Sequence, residues 1–420
     1  MAGRRSGARR RGALCAALLL ALPPALAGCG GAAGSDDTAT RAIERMLDRR
    51  ADALLDRDAD GFLAAADPRA TGYRAEQRRV FSNLEDVPLK DWQYRLTGTG
   101  GFEPARGEGR RIAAEVRLSY RLEGYDTAPV TAMQRLTLTE RDGRWYVAAE
   151  NAGPGGHGSG ARQLWDQGKV TVARGSHSLV LGAGQEARRL RAIARTADRT
   201  VPAVDDAWRG RWAHRVVVLV PESLDAMGEL LGAPGDGYRG IAAVTTGEAG
   251  GAGSAPADRV IVNPDAYALL GEFGQQVILT HETAHVATRA NTSGATPLWL
   301  SEGFADWAGY RGTDRAPQEI APELTREVTA GQRPRQLPRN DDFGFAGEGG
   351  RLAAAYEGSW LACRMIADRW GEDRLREFYR AAAEGEKRQG AVDRALREVL
   401  GVGLDDFTAR WRGYVTAQLG

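Results

Sequence analysis

The chain has 420 residues, 43% of them apolar and 26% charged, enough to bury sizeable cores and too apolar to remain disordered. Its 56 Lys and Arg against 55 Asp and Glu give a formal net charge of +1, yet five of those arginines precede residue 12. Without residues 1–28, which hold no acid, the balance is 51 against 55, a net of −4. That mildly acidic remainder gives no reason to expect nucleic-acid binding.

Arg4, Arg5, Arg9, Arg10 and Arg11 lead into an apolar run, Leu14–Leu22, too short to span a bilayer, and this ends in Leu26-Ala27-Gly28-Cys29. The arrangement resembles the bacterial lipoprotein signal, in which the cysteine becomes the lipidated first residue of the mature chain. The resemblance implies a signal peptide over 1–28, lipidation at Cys29 and a flexible tether over 29–37. The expected location is extracytoplasmic, held by lipid to the outer face of the bacterial cytoplasmic membrane. An ordinary secretory signal with a cysteine near its cleavage site is the alternative. Cys15 lies inside the signal, so Cys363 is left without a disulfide partner and reads as a buried small hydrophobe.

Residues 38–66 carry Ile43, Met46, Leu47, Ala51, Leu54 and Leu55 at three- and four-residue spacing, which predicts one long helix. A second helix is expected around Tyr73–Leu84, and then the period changes to two. Residues 92–96, 111–121, 130–140 and 145–149 read as strands, with Asp142-Gly143 a hairpin turn between the last two. Helices followed by an antiparallel sheet make 38–150 an α+β module. It resembles the cone-shaped nuclear-transport-factor-like domains, which implies a structural or recruiting role.

The Gly-rich stretch 151–162, containing His157, reads as a linker before a domain over 163–420. Strands are expected at 170–173, 178–181, 216–220, 241–246 and 260–262, and an amphipathic helix at 185–198. Pro221-Glu222-Ser223 is a reasonable helix entry. His177 and His214 stand alone beside strands and read as ordinary.

The chemistry concentrates in Val277-Ile278-Leu279-Thr280-His281-Glu282-Thr283-Ala284-His285, which uses two of the five histidines in the chain. On a helix, positions i and i+4 share a face, so His281 and His285 can direct two imidazoles at one metal ion. Glu282 is placed beside that ion, where it can take a proton from water. Sixteen residues separate His285 from Glu302, which lies within Pro297-Leu298-Trp299-Leu300-Ser301-Glu302-Gly303-Phe304-Ala305-Asp306-Trp307. Ser301 reads as a residue near the helix cap, although Leu298 and Leu300 can begin the helix earlier. Glu302 supplies a third ligand, and Asp306, one turn on, can accept the outward ring N–H of a ligand histidine. Two nitrogens, one carboxylate and an open position suit catalytic zinc. Iron shares that ligand count, and the base adjacent to the first histidine argues for zinc (Zn2+).

HETAH followed by WLSEGFADW resembles the gluzincin branch of zinc metallopeptidases, and in particular the bacterial peptidase MA-like domains. The likeness is specific over 277–311 and weaker over about 215–415. It implies an α+β domain with a small edge sheet and a mainly helical active-site region. His281, His285 and Glu302 match the zinc ligands of that group, Glu282 the general base and Asp306 the residue behind a ligand. Tyr356 is the nearest match to a tyrosine that bonds the oxyanion in aminopeptidase-like members. Its setting, Tyr356-Glu357-Gly358-Ser359, is one residue shorter and lacks their lysine, and packing on Trp360 is the other reading. The strand at 241–246 falls where such domains place the sheet edge that pairs with extended substrate. There is no Gly-x-Met-Glu-Asn segment, which sets the chain apart from aminopeptidases and favours endopeptidase action. The implied partners are a peptide or protein substrate and the membrane; oligomeric state stays open. A lipid-anchored binding or scaffold protein keeping the peptidase frame is the rival, and the presence of Glu282 and Glu302 favours hydrolysis.

Overall fold

The computed structural model describes residues 33–150, 162–246, 258–344, 349–384 and 390–420. The signal, Cys29 and nearly all of the linker, with His157, lie outside them. Two compact units divide the chain, Met1–Arg41 and Ala42–Gly420. No described helix is long and apolar enough to cross a membrane.

The first helix, α1 (Ala33–Leu55), buries Ile43, Met46, Leu47, Ala51 and Leu54, the predicted stripe. It starts earlier than the pattern implied and does not continue to 66. Arg57 turns the chain with φ of 59°, and its guanidinium donates to the carbonyls of Leu84 and Val87 at 2.9 Å each. The Asp58 carboxylate then accepts from the Gly61 N–H at 3.0 Å and caps a new helix, α2 (Ala59–Ala64). Helix α3 (Thr71–Asn83) follows.

Strands β1 (Leu89–Thr99), β2 (Arg110–Leu122), β3 (Val130–Arg141) and β4 (Arg144–Glu150) form an antiparallel meander in sequence order. Asp142 and Gly143 both have positive φ, 51° and 74°, as the two-residue hairpin between β3 and β4 requires.

After the short helix α4 (Leu164–Gln167), a five-stranded sheet takes shape in the order β5-β6-β7-β9-β8. Its members are β5 (Val170–Arg174), β6 (Ser178–Ala183), β7 (Val216–Val220), β8 (Ala243–Thr245) and β9 (Val260–Val262). The pairs β6–β7 and β7–β9 are parallel; the outer pairs, β5–β6 and β8–β9, are antiparallel. Between these strands run α5 (Ala187–Trp208) and α6 (Leu224–Leu231), the latter capped by Ser223.

The unbroken apolar runs of β6, β7 and β9 are explained by burial on both faces. Val180, Val218, Val260 and Val262 join a cluster with Leu190, Val201 and Leu279 on one face. Leu179, Leu181, Val217 and Ile261 point the other way, into a cluster with Trp92, Tyr120 and Trp165. The β1–β4 sheet and its helices therefore cover one face of the second sheet. A buried ion pair reinforces this contact: both nitrogens of the Arg259 fork reach the Asp126 carboxylate at 2.7 Å.

The remaining chain is helical: α7 (Pro264–Leu269), α8 (Glu272–Thr288), α9 (Leu298–Tyr310), α10 (Pro317–Ile320), α11 (Pro322–Thr329), α12 (Gly349–Trp370), α13 (Glu372–Ala383), α14 (Ala391–Ala395) and α15 (Leu404–Leu419). Its core stacks Trp299 of α9 on Phe378 of α13 and Phe407 of α15, with ring centroids 6.1 and 6.0 Å apart. The whole is mixed α+β.

Candidate metal centre

Helix α8 lies against α5, α9 and β8, so residues 279–285 are buried on every side. Its Thr283 hydroxyl meets that of Thr200 on α5 at 2.9 Å. Helix α9 is capped from a distance: the Leu298 N–H donates to the Asn340 side chain at 3.0 Å. Ser301 is thus no cap; it lies inside the helix and its hydroxyl donates back to the Leu298 carbonyl at 3.3 Å. Close approach of α9 and α12 depends on Gly303, where an added Cβ would sit 2.3 Å from the Ser359 carbonyl oxygen. Cys363 is buried in the same contact and is not part of a disulfide, as its helical setting implied.

This packing brings together His281, His285 and Glu302, all buried, as a group that can hold a metal ion. The two Nε2 atoms are 3.0 Å apart, and Glu302 Oε2 is 3.3 Å from that of His281 and 3.4 Å from that of His285. Tetrahedral zinc, with bonds of about 2.0–2.1 Å, holds its ligand atoms about 3.3–3.4 Å apart. The three atoms therefore fit three corners of such a site.

His281 Nδ1 lies 2.8 Å from Asp306 Oδ1. That bond places the ring proton on Nδ1 and leaves the Nε2 lone pair facing Glu302 and His285. Burial alone would lower the His281 pKa, but Asp306 and Glu302 outweigh it and hold it well above the ordinary value. Burial likewise raises Glu302, yet the two imidazoles bring it well below the usual carboxylate range. Both directions describe a site organised to hold positive charge.

Glu282 is buried beside the triad. The Thr245 hydroxyl on β8 lies 2.7 Å from Glu282 Oε2 and 3.1 Å from its carbonyl oxygen, and its single proton serves one of them at a time. Tyr356 on α12 has its ring 6.2 Å from that of His281 and 5.3 Å from that of Phe343. Trp360 makes its ring contact with Tyr310 instead. The structure thus places all six sequence-predicted residues of the domain in one neighbourhood, while Cys29 lies outside the described residues. His177 and His214 are elsewhere: the His177 N–H donates to Asp198 at 2.9 Å, and His214 Nδ1 meets Asp205 at 2.6 Å.

Two residues that position the site escaped sequence reasoning. Thr245 was inside an expected strand, but nothing in its spacing indicated which helix it would face. Gly303 offered a signal, a glycine inside a helical run beside a ligand.

Fold and site define an α+β chain with a buried two-histidine, one-glutamate metal-binding triad. No protein-family model and no curated protein matches it. Among solved structures it is similar to an M1 zinc metallopeptidase from Deinococcus radiodurans, at 14% identity and a TM-score of 0.36 over 78% of this chain and 74% of that one. A point mutant of an M1 zinc metallopeptidase from that organism gives 13% and 0.36 over the same shares. A mutant two-domain M1 zinc metallopeptidase bound to L-arginine gives 12% and 0.34 over 79% and 71%. Likeness of this extent assigns neither family nor activity.

Proposed function

We propose that the chain is a zinc-dependent peptidase, an endopeptidase, tethered outside the cytoplasmic membrane through lipid on Cys29. The observation that supports it is the convergence of His281, His285 and Glu302 to 3.0–3.4 Å beside a separately held carboxylate, Glu282. When bound, zinc supplies Lewis acidity that polarises a carbonyl and eases deprotonation of water.

The chain's own residues supply the rest. Asp306 fixes the His281 ring so that its Nε2 is available as a ligand. Glu282, aligned by Thr245, accepts a proton from the attacking water and returns it to the departing amine. The Tyr356 hydroxyl donates to the oxygen on which negative charge develops. Strand β8 pairs only with β9 among the described strands, and its free edge suits an extended peptide backbone.

Glu282→Gln is the direct test of the chemistry. It should keep bound zinc and thermal stability while peptide hydrolysis falls by about 10²–10⁴-fold, the range for losing a general base. Turnover equal to wild type would refute the assignment. The tether is tested separately by mass spectrometry of the mature protein, which should begin at a lipidated Cys29. An unmodified N-terminus several residues away would contradict it.

A further inference from the structure

The cavity of the β1–β4 module, lined by Arg50 and Trp92 among others, encloses about 20 Å³, room for about one water molecule. The module bears on the metal centre elsewhere, at the end of the β8–β9 pair. There the Thr246 N–H donates to the Arg259 carbonyl at 2.8 Å, and the Arg259 N–H donates to the Thr246 hydroxyl at 2.9 Å. Whatever holds Arg259 therefore holds Thr246 with it.

Neighbouring side chains of a strand point to opposite faces. Thr245 faces α8, where its hydroxyl meets Glu282, whereas Arg259 and Ile261 face the β1–β4 module. Each face has its own tie. On the α8 side, Arg289, four positions past His285, donates to the Thr246 carbonyl at 2.8 Å and to Asp258 at 3.0 Å. On the module side, the buried Arg259 fork meets Asp126, which lies between β2 and β3. The Asp126 carboxylate is itself anchored, accepting the Leu122 N–H at 2.7 Å. A two-point guanidinium–carboxylate pair fixes direction as well as distance.

The position of Thr245 matters twice. Its hydroxyl aligns Glu282. Its neighbour Thr246 bonds to β9, so the alternation of an antiparallel pair turns the Thr245 N–H and C=O toward the free edge of β8. A shift at this strand end would disturb the base and the edge together.

We propose that Asp126, although it belongs to the β1–β4 module, is a positioning residue for the metal centre: by holding Arg259 it sets the end of β8, and with it Thr245 and Glu282. Its effect on turnover rests on the peptidase reading, whereas its hold on β8 does not.

Hydrogen exchange of the full, zinc-loaded chain, read by mass spectrometry, tests that hold directly. In the double variant Asp126→Asn, Arg259→Met, asparagine keeps an acceptor for Leu122 and methionine keeps much of the arginine stem. Replacing both charges at once leaves neither buried alone, so fold and zinc content should be retained. Amides over 243–246 should exchange about tenfold faster than in wild type. As a control, Asp67→Asn, Arg141→Met removes an ion pair that lies within the module, its two bonds 2.8 Å each. It should leave exchange over 243–246 unchanged. On dye-quenched casein the first double variant should lower kcat about fivefold, and the control should not. If the first double variant fails to fold, Arg259→Lys, which keeps the charge and loses the fork, should move both readouts the same way, about twofold. Wild-type exchange over 243–246, equal acceleration in the control, or wild-type kcat alongside faster exchange would each overturn the role of Asp126. Casein left uncut by the wild-type chain would count against the peptidase reading, and exchange alone would then decide.

Discussion

The metal centre and the cavity of the β1–β4 module both bury ionisable side chains, and they treat them in opposite ways. At the metal centre each such group has a protein partner: His281 has Asp306, Glu302 has two imidazoles, and Glu282 has Thr245. In the cavity, Arg50 Nη1 and Trp92 Nε1 have none among the described residues. The difference teaches what each site is organised around. A fully bonded network holds its atoms in place before anything binds, which suits chemistry that tolerates little displacement. An unfinished network leaves its last bonds to water or to whatever else enters.

That contrast can be broken first at Asp306. Asp306→Ala removes the partner that fixes the His281 ring while leaving all three ligands, and zinc affinity measured by competition with a chelator should fall about 10–100-fold. Unchanged affinity would mean that the ring is held by packing alone. A smaller effect is expected at Thr245, which touches the base and no ligand. Thr245→Val removes a hydrogen bond to a charged group, one whose single proton is shared with the Glu282 carbonyl. The low end of the usual range therefore applies, about 1.5 kcal/mol, and kcat should drop about tenfold with zinc content unaltered. Thr245→Ser should restore most of it. Equal loss in the serine variant would show that Thr245 serves packing between β8 and α8 instead.

Much of this was legible in the sequence, because the relevant patterns are local. The HExxH spacing, the apolar alternation of β1–β4 and the Asp142-Gly143 turn each depend on residues within a few positions of one another. What the sequence hid was decided by distant contacts. Helical periodicity runs past residue 55, yet the Arg57 guanidinium bonds to Leu84 and Val87, and that contact favours a turn where spacing predicts helix. Helix α5 extends through Pro202 to Trp208, beyond the expected 198, because Val204, Ala207 and Trp208 are buried in the helical core. Pro202 costs one intrahelical hydrogen bond, and burial of that last turn offsets it. The start of α9 followed the same rule, taking its cap from Asn340, far along the chain. Thr245 and Glu282 are likewise 37 positions apart, and only the fold brings them together.

The central claim is that His281, His285 and Glu302 form a zinc site, and metal analysis of the purified chain tests it most directly. Elemental analysis by mass spectrometry should find about one zinc per wild-type chain and almost none in the double variant His281→Ala, His285→Ala. Zinc retained at the wild-type level by that double variant would contradict the account.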